Sequence, residues 1–218
     1  MPIPPPSAVS SFDLTAQPWL PVLYTSGDEG VVSLAGVLAE AHGIRRLVGD
    51  VPTQEFALTR LLLAILYDAL DDRLETIADW AELWRQDTLP VAEVAAYLRR
   101  HREGFDLLHP TRPFFQVADL RTAKDEVFAL DRIVADVPNG DRFFTMRSGG
   151  VDSLSFAEAA RWLVHSHAYD PSGIKSRRRH RSTRGSAPRS TARPMTFGWR
   201  RPDGLDGLCW VGWTRVSV

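Results

Sequence analysis

The sequence predicts an α+β fold, mainly α, with an N-terminal β-hairpin, a helical core, a few short strands and a disordered basic C-terminal tail. Helix-spaced apolar residues recur from Leu34 to Leu98, short apolar runs around a polar turn precede them, and apolar patterning disappears beyond Ser176. With 218 residues, 44% of them hydrophobic, the chain can bury a core of one domain or two small ones.

The hairpin spans Phe12 to Val32, with a turn at Ser26-Gly27-Asp28-Glu29-Gly30, and Pro18 and Pro21 make its first strand an edge or an irregular one. Ser33 stands at an N-cap position, and Leu34, Val37, Leu38 and Ala41 begin a first amphipathic helix that ends near Gly49. Thr53 is the predicted cap of a second helix, in which Phe56, Leu58, Leu61, Leu62, Leu63, Ile65, Leu66 and Leu70 cover nearly every face. Such a helix belongs at the centre of the core. Ile77, Trp80, Ala81 and Trp84 form a third stripe, and Pro90 opens a fourth helix carrying Val91, Val94, Ala95 and Leu98. Extended pieces are predicted at Phe114 to Val117 and Val127 to Val137, with a loop from Pro138. Ser155 and Glu158 form a capping box for a final helix with Phe156, Ala160 and Leu163 on one side.

The formal charge of -1 conceals an asymmetry: residues 1–174 hold 15 Lys/Arg against 25 Asp/Glu, and residues 175–218 hold 11 against 2. One cysteine, Cys209, excludes an intrachain disulfide and points to a reducing compartment. Residues 1–11, rich in Pro and Ser, form a flexible leader without signal-peptide character, and no apolar run approaches the ~20 residues of a membrane span. The expectation is a cytoplasmic protein.

No constellation of residues suggests an enzyme. His165 and His167 lie two apart on a helix and point to different sides, while His101 and His109 are separated by a helix end, so no metal site and no cofactor are expected. Gly173-Ile174-Lys175-Ser176 shares the ending of a phosphate loop but separates Gly from Lys, and Asp71-Asp72 reads as a solvated helix end. One loop differs in kind. Between Asp141 and Gly150, Arg142 and Arg147 bracket Phe143, Phe144, Thr145 and Met146, a pattern in which aromatics can stack on bases while arginines hold phosphates. Adjacent phenylalanines equally fit a loop anchored in the core, and the pattern by itself favours that reading.

Four strings in fixed order carry a family resemblance: FDLTAQPWLPV at 12–22, VSLAGVLAEAHGIRRLVGDVPTQEFALTRLLLAILYDAL at 32–70, FDLLHPTRPFFQV at 105–117 and LSFAEAARWLVHSHAYDPSGIKS at 154–176. They resemble the CasA family, the large subunit of the type I-E CRISPR surveillance complex Cascade. The resemblance covers residues 10–176, the first part of the family's N-terminal domain. It implies a non-catalytic subunit that helps recognise the PAM beside a target, supports unwinding of double-stranded DNA and helps recruit a helicase-nuclease. Guide RNA pairing supplies the remaining specificity. The implied partners are the other Cascade subunits, guide RNA, target DNA and the helicase-nuclease, with no membrane.

In this family an aromatic-apolar-polar loop contacts nucleic acid, and its counterpart is Phe143-Phe144-Thr145. A glycine-containing loop faces the PAM minor groove, and its counterpart lies around Gly173 and Lys175. Thr145 stands where some relatives have an amide, and the 172–175 loop is poorer in glycine. The resemblance divides the chain into the leader, a partial N-terminal domain at 12–176, and a tail at 177–218 that reads as an out-of-frame or truncated gene end; the competing view is a basic nucleic-acid-binding arm. The alternative to the whole reading is a helical interaction module that binds a protein through its acidic body.

Overall fold

A computed structural model of the chain describes residues 11–118, 129–137 and 151–169, with Asp72 described by its backbone alone. The predicted hairpin forms from Leu20–Tyr24 (β1) and Glu29–Val32 (β2), antiparallel with Leu20 opposite Val32. Its turn places Gly27 at φ 96°, which glycine adopts without Cβ strain.

A third strand, Ile44–Leu47 (β3), pairs with the other edge of β1, so the order is β2-β1-β3. The proline-bearing strand is therefore central rather than an edge. The Pro21 carbonyl accepts from the Val48 N–H at 2.8 Å, and pairing with β3 begins only at Val22 opposite Leu47. Pro21 stands opposite Val48 at the end of that ladder, so the N–H that proline lacks costs one terminal hydrogen bond and none inside the β3 pairing.

Ser33 caps the first helix as predicted, accepting from the Gly36 N–H at 3.1 Å, but Leu34–Ala39 (α1) is shorter than the sequence suggests. A 3-10 turn at Ala41–Gly43 intervenes, and the open edge of β1 claims the next residues for β3. Sheet hydrogen bonds outweigh the weak helical periodicity beyond Ala41.

The second helix is Pro52–Ala69 (α2). Pro52 opens it after Val51, and Thr53 is not the cap, because its hydroxyl engages His165 instead. Gln54, Ala57, Leu58, Leu61, Ile65 and Leu66 are buried. Contrary to the central-helix expectation, Phe56, Leu63 and Tyr67 are 57%, 45% and 54% exposed, because the contacting helices Val91–Arg100 (named α4 below) and Phe156–Tyr169 (α5 below) leave that face open.

Beyond a 3-10 turn at Asp71–Arg73 comes Ile77–Arg85 (α3), whose predicted stripe is split: Trp80 and Ala81 are half-buried, while Ile77 and Trp84 face outward and no residue is fully buried. Helix α4 (Val91–Arg100) follows Pro90, which occupies the cap position, and buries Val94, Tyr97 and Leu98. The extended pieces predicted at 114–117 and 127–137 contain no strand among their described residues; Leu130–Arg132 is a 3-10 turn. Around Phe114 the chain turns, with Gln116 N–H donating to the Pro113 carbonyl at 3.1 Å, and the Phe114 ring fills the core between Trp19 and Phe105. Burial of that ring, not strand pairing, sets the local path.

Helix α5 (Phe156–Tyr169) starts at the predicted capping box: Ser155 Oγ accepts from the Glu158 N–H at 3.2 Å, and Glu158 Oε2 accepts from the Ser155 N–H at 2.9 Å. It buries Trp162 completely.

Candidate nucleic-acid interface and its scaffold

All seven residues singled out for nucleic-acid contact, Arg142, Phe143, Phe144, Thr145, Arg147, Gly173 and Lys175, lie outside the described residues, and so does the basic tail. What is described is the scaffold that flanks the 138–150 segment and the helix that precedes 172–175 in the sequence.

The 138–150 segment leaves from Val137 and returns at Val151, both buried. The Val151 N–H donates to Asp131 Oδ1 at 2.7 Å, which ties the returning chain to the departing one. Ile133 beside it is buried, and its carbonyl accepts from Ser166 Oγ of α5 at 3.2 Å. The second candidate segment, around 172–175, follows directly on the last turn of α5. The last turns of α5 therefore hold the approach to the first segment and precede the second in the sequence.

The body of α5 is held by polar side chains the sequence reading did not single out. Arg161 is buried among apolar neighbours; its Nη1 donates to the Trp19 carbonyl at 3.0 Å, and its Nη2 pairs with Asp50 at 3.4 Å. Asp50 also accepts from Gln54 Nε2 at 3.3 Å, and its own N–H donates to Gln54 Oε1 at 3.0 Å. Arg161 thus joins α5 to the start of β1 and to the first turn of α2. The legible signal was one arginine inside the otherwise apolar run of α5, since an unpaired buried charge is costly. Arg161 Nε and Trp162 Nε1 are buried without a hydrogen-bond partner.

The two histidines of α5 diverge as their spacing requires. His165 Nε2 lies 2.9 Å from Thr53 Oγ1, and burial pushes its imidazole below the usual histidine range. His167 Nε2 donates to the Phe115 carbonyl at 2.8 Å. Phe115 itself has φ 54°, a left-handed conformation costing about 1–2 kcal/mol outside glycine. The Phe115 ring stacks 4.7 Å from the His167 ring, so both ring and carbonyl of the strained residue are held by one histidine.

At the entrance of the fold, Asp13 pairs with Arg102 and accepts from Thr15. Burial works to raise the Asp13 carboxyl, but hydrogen bonds from Thr15 and Arg102 outweigh it and hold the group below the usual range. Asp106 accepts from the Phe12 N–H at 2.9 Å and the Leu108 N–H at 3.0 Å, anchoring the strings at 12–22 and 105–117 to each other. These carboxylates are occupied in structural bonds. Among the described residues no group of three or more His, Cys, Asp or Glu could hold a metal ion, and no helix is long and apolar enough to cross a membrane.

A small three-stranded sheet set against a helical body is the fold this chain shares with solved CRISPR-associated Cse1 structures. Cse1 from Thermobifida fusca superposes with a TM-score of 0.68 at 64% identity, over 75% of this chain and 31% of that one. Cse1 from Acidimicrobium ferrooxidans gives 0.64 at 38% identity, over 75% of this chain and 30% of that one. A CasA/Cse1 protein of Thermus thermophilus is 32% identical over 175 residues, 78% of this chain and 34% of its own. The family model of CRISPR-associated protein Cse1 matches residues 13–214. The chain belongs to the Cse1 family, also called CasA, and spans about a third of the length of the relatives it matches.

Proposed function

We propose that the chain is a non-catalytic Cascade component of a type I-E CRISPR system, which contributes to PAM recognition and double-stranded DNA binding in the cytoplasm. Its partners in this reading are the other Cascade subunits, guide RNA, target DNA and the helicase-nuclease effector. Family membership supports the reading, and the fold is shared with a chain of a CRISPR RNA-guided surveillance complex at 23% identity. The observation that carries it is at the end of α5: Ser166 holds Ile133 ahead of the 138–150 segment, and the helix ends at Tyr169, three residues before 172 in the sequence.

In this reading Phe143, Phe144 and Thr145 contact nucleic acid while Arg142 and Arg147 hold phosphates, and Gly173 with Lys175 approaches the minor groove. Reconstitution with the remaining Cascade subunits and guide RNA tests it. Incorporation on size exclusion, together with PAM-dependent shift of a duplex, is the expected result. Phe144→Ala should weaken assembly or duplex binding by about tenfold with an unchanged melt. A large loss of melting temperature with unchanged DNA binding would assign Phe144 to the core and remove the basis of the reading.

A further inference from the structure

A different surface, on the opposite kind of chemistry, is described in full. Along α2 the exposed face carries Phe56, Leu63 and Tyr67 at helical spacing, and Arg60 lies over the Phe56 ring at 6.0 Å. The Tyr67 ring meets Trp80 of α3 at 4.4 Å, so the two helices share one apolar surface. On α3, Ile77 and Trp84 extend it and are 89% and 90% exposed.

Helix α3 has nine residues and none fully buried, with only Asp79, Trp80, Ala81 and Leu83 half-buried, so it draws little stability from the core, and helices of that length are marginal alone in water. Helix α3 is held by its capping box, Thr76 with Asp79, and by the surface pair Arg85–Glu82 at 3.2 Å. Large exposed apolar surface on such an element marks a place where something docks.

Charge identifies the kind of occupant. Residues 56–93 contain eight Asp/Glu against three Arg. Arg73 pairs with Glu93 at 2.7 Å, Arg85 pairs with Glu82, and Arg60 lies over the Phe56 ring, while Asp71, Glu75 and Asp87 are exposed. Nucleic acid would meet like charge here. A second copy of the same face would set one excess of carboxylates against another.

We propose that the joined α2–α3 surface docks a basic amphipathic helix of a protein partner, whose apolar stripe covers Ile77, Trp80 and Trp84 and whose lysines or arginines face Asp71, Glu75 and Asp87. Side chains at i, i+3 and i+7 on α3 offer the ridge that a helix packs against. This surface is built from residues of α2 and α3 alone.

The test uses the full chain and a labelled helical Leu/Lys peptide of about 20 residues, with leucines at three- and four-residue spacing. A shuffled peptide of the same composition and a Leu/Glu counterpart serve as comparisons, with affinities read by fluorescence anisotropy. The amphipathic Leu/Lys peptide should bind about tenfold or more tighter than either, and the combined Ile77→Ser and Trp84→Ser variant should lose about tenfold with an unchanged melt. Glu75→Lys with Asp87→Lys should weaken binding and flatten its salt dependence. If the double serine variant loosens α3, Trp84→Gln alone gives the same readout.

Equal binding of the shuffled peptide, or unchanged affinity of the Ile77/Trp84 variants, would overturn the proposal. So would binding that emerges only after removal of residues 177–218, which would make the chain's own tail the occupant, or a dimer that the double variant dissolves. The assay contains no nucleic acid, so its failure is distinct from a failure of PAM-dependent binding.

Discussion

Helices α3 and α5 begin with the same device, a hydroxyl and a carboxylate three residues apart exchanging hydrogen bonds with the backbone, and then diverge. Helix α5 buries seven residues, an arginine and a histidine among them, whereas α3 buries none and exposes a tryptophan and an isoleucine almost fully. Capping determines where a helix starts. What the helix then does depends on whether neighbours close over it, and α5 is enclosed by α2 and polar ties to β1 and the 133–137 turn.

The sharpest way to break this contrast is Trp162→Ala. The side chain is wholly buried, and its loss should cost about 3–5 kcal/mol by chemical denaturation, whereas Trp84→Ala should leave stability within about 0.5 kcal/mol. Comparable losses at the two sites would mean that α3 is covered after all.

A smaller effect separates the two capping boxes. Ser155→Ala should lower global stability by about 1 kcal/mol, because α5 unfolds only with the core. Thr76→Ala removes an equivalent hydroxyl, yet should accelerate amide exchange within α3 while leaving the global transition unchanged.

The smallest effect concerns pH. Burial holds folded His165 below its ordinary value of 6.5, so the unfolded chain takes up the proton first as pH falls. Its contribution is complete above about pH 6.5 and is lost as pH drops towards the folded pKa. His101 is also depressed, by burial and then by the Arg100 charge, so the informative quantity is the difference between the native chain and His165→Gln. That variant should show a shallower acid limb; an identical limb would assign the pH dependence elsewhere.

The local start and stop signals were legible. Ser33, the Ser155/Glu158 box, the hairpin turn around Gly27 and the four-string resemblance all follow from residues within a few positions of one another, where sequence spacing is spatial spacing. The candidate contact residues in 142–147 and 173–175 were likewise named from sequence and resemblance, and they lie outside the described residues.

Tertiary structure decided which apolar faces are inside. Hydrophobic periodicity marks a face that avoids water but does not say what covers it, so Phe56 and Leu63 on α2 and Ile77 and Trp84 on α3 read as core and are exposed. It also decided the third strand, because Ile44–Leu47 has no strand pattern of its own and is extended only because β1 offers an unpaired edge. The Arg161–Asp50–Gln54 network spans 111 residues of chain between Arg161 and Asp50, and only the folded chain brings that guanidinium and carboxylate within reach. Sequence by itself determined the hairpin, the order of the helices, the caps at Ser33 and Ser155 and the family, through short-range backbone chemistry and recurrent strings; burial, the third strand and charge pairing are long-range and were settled only when the chain closed on itself.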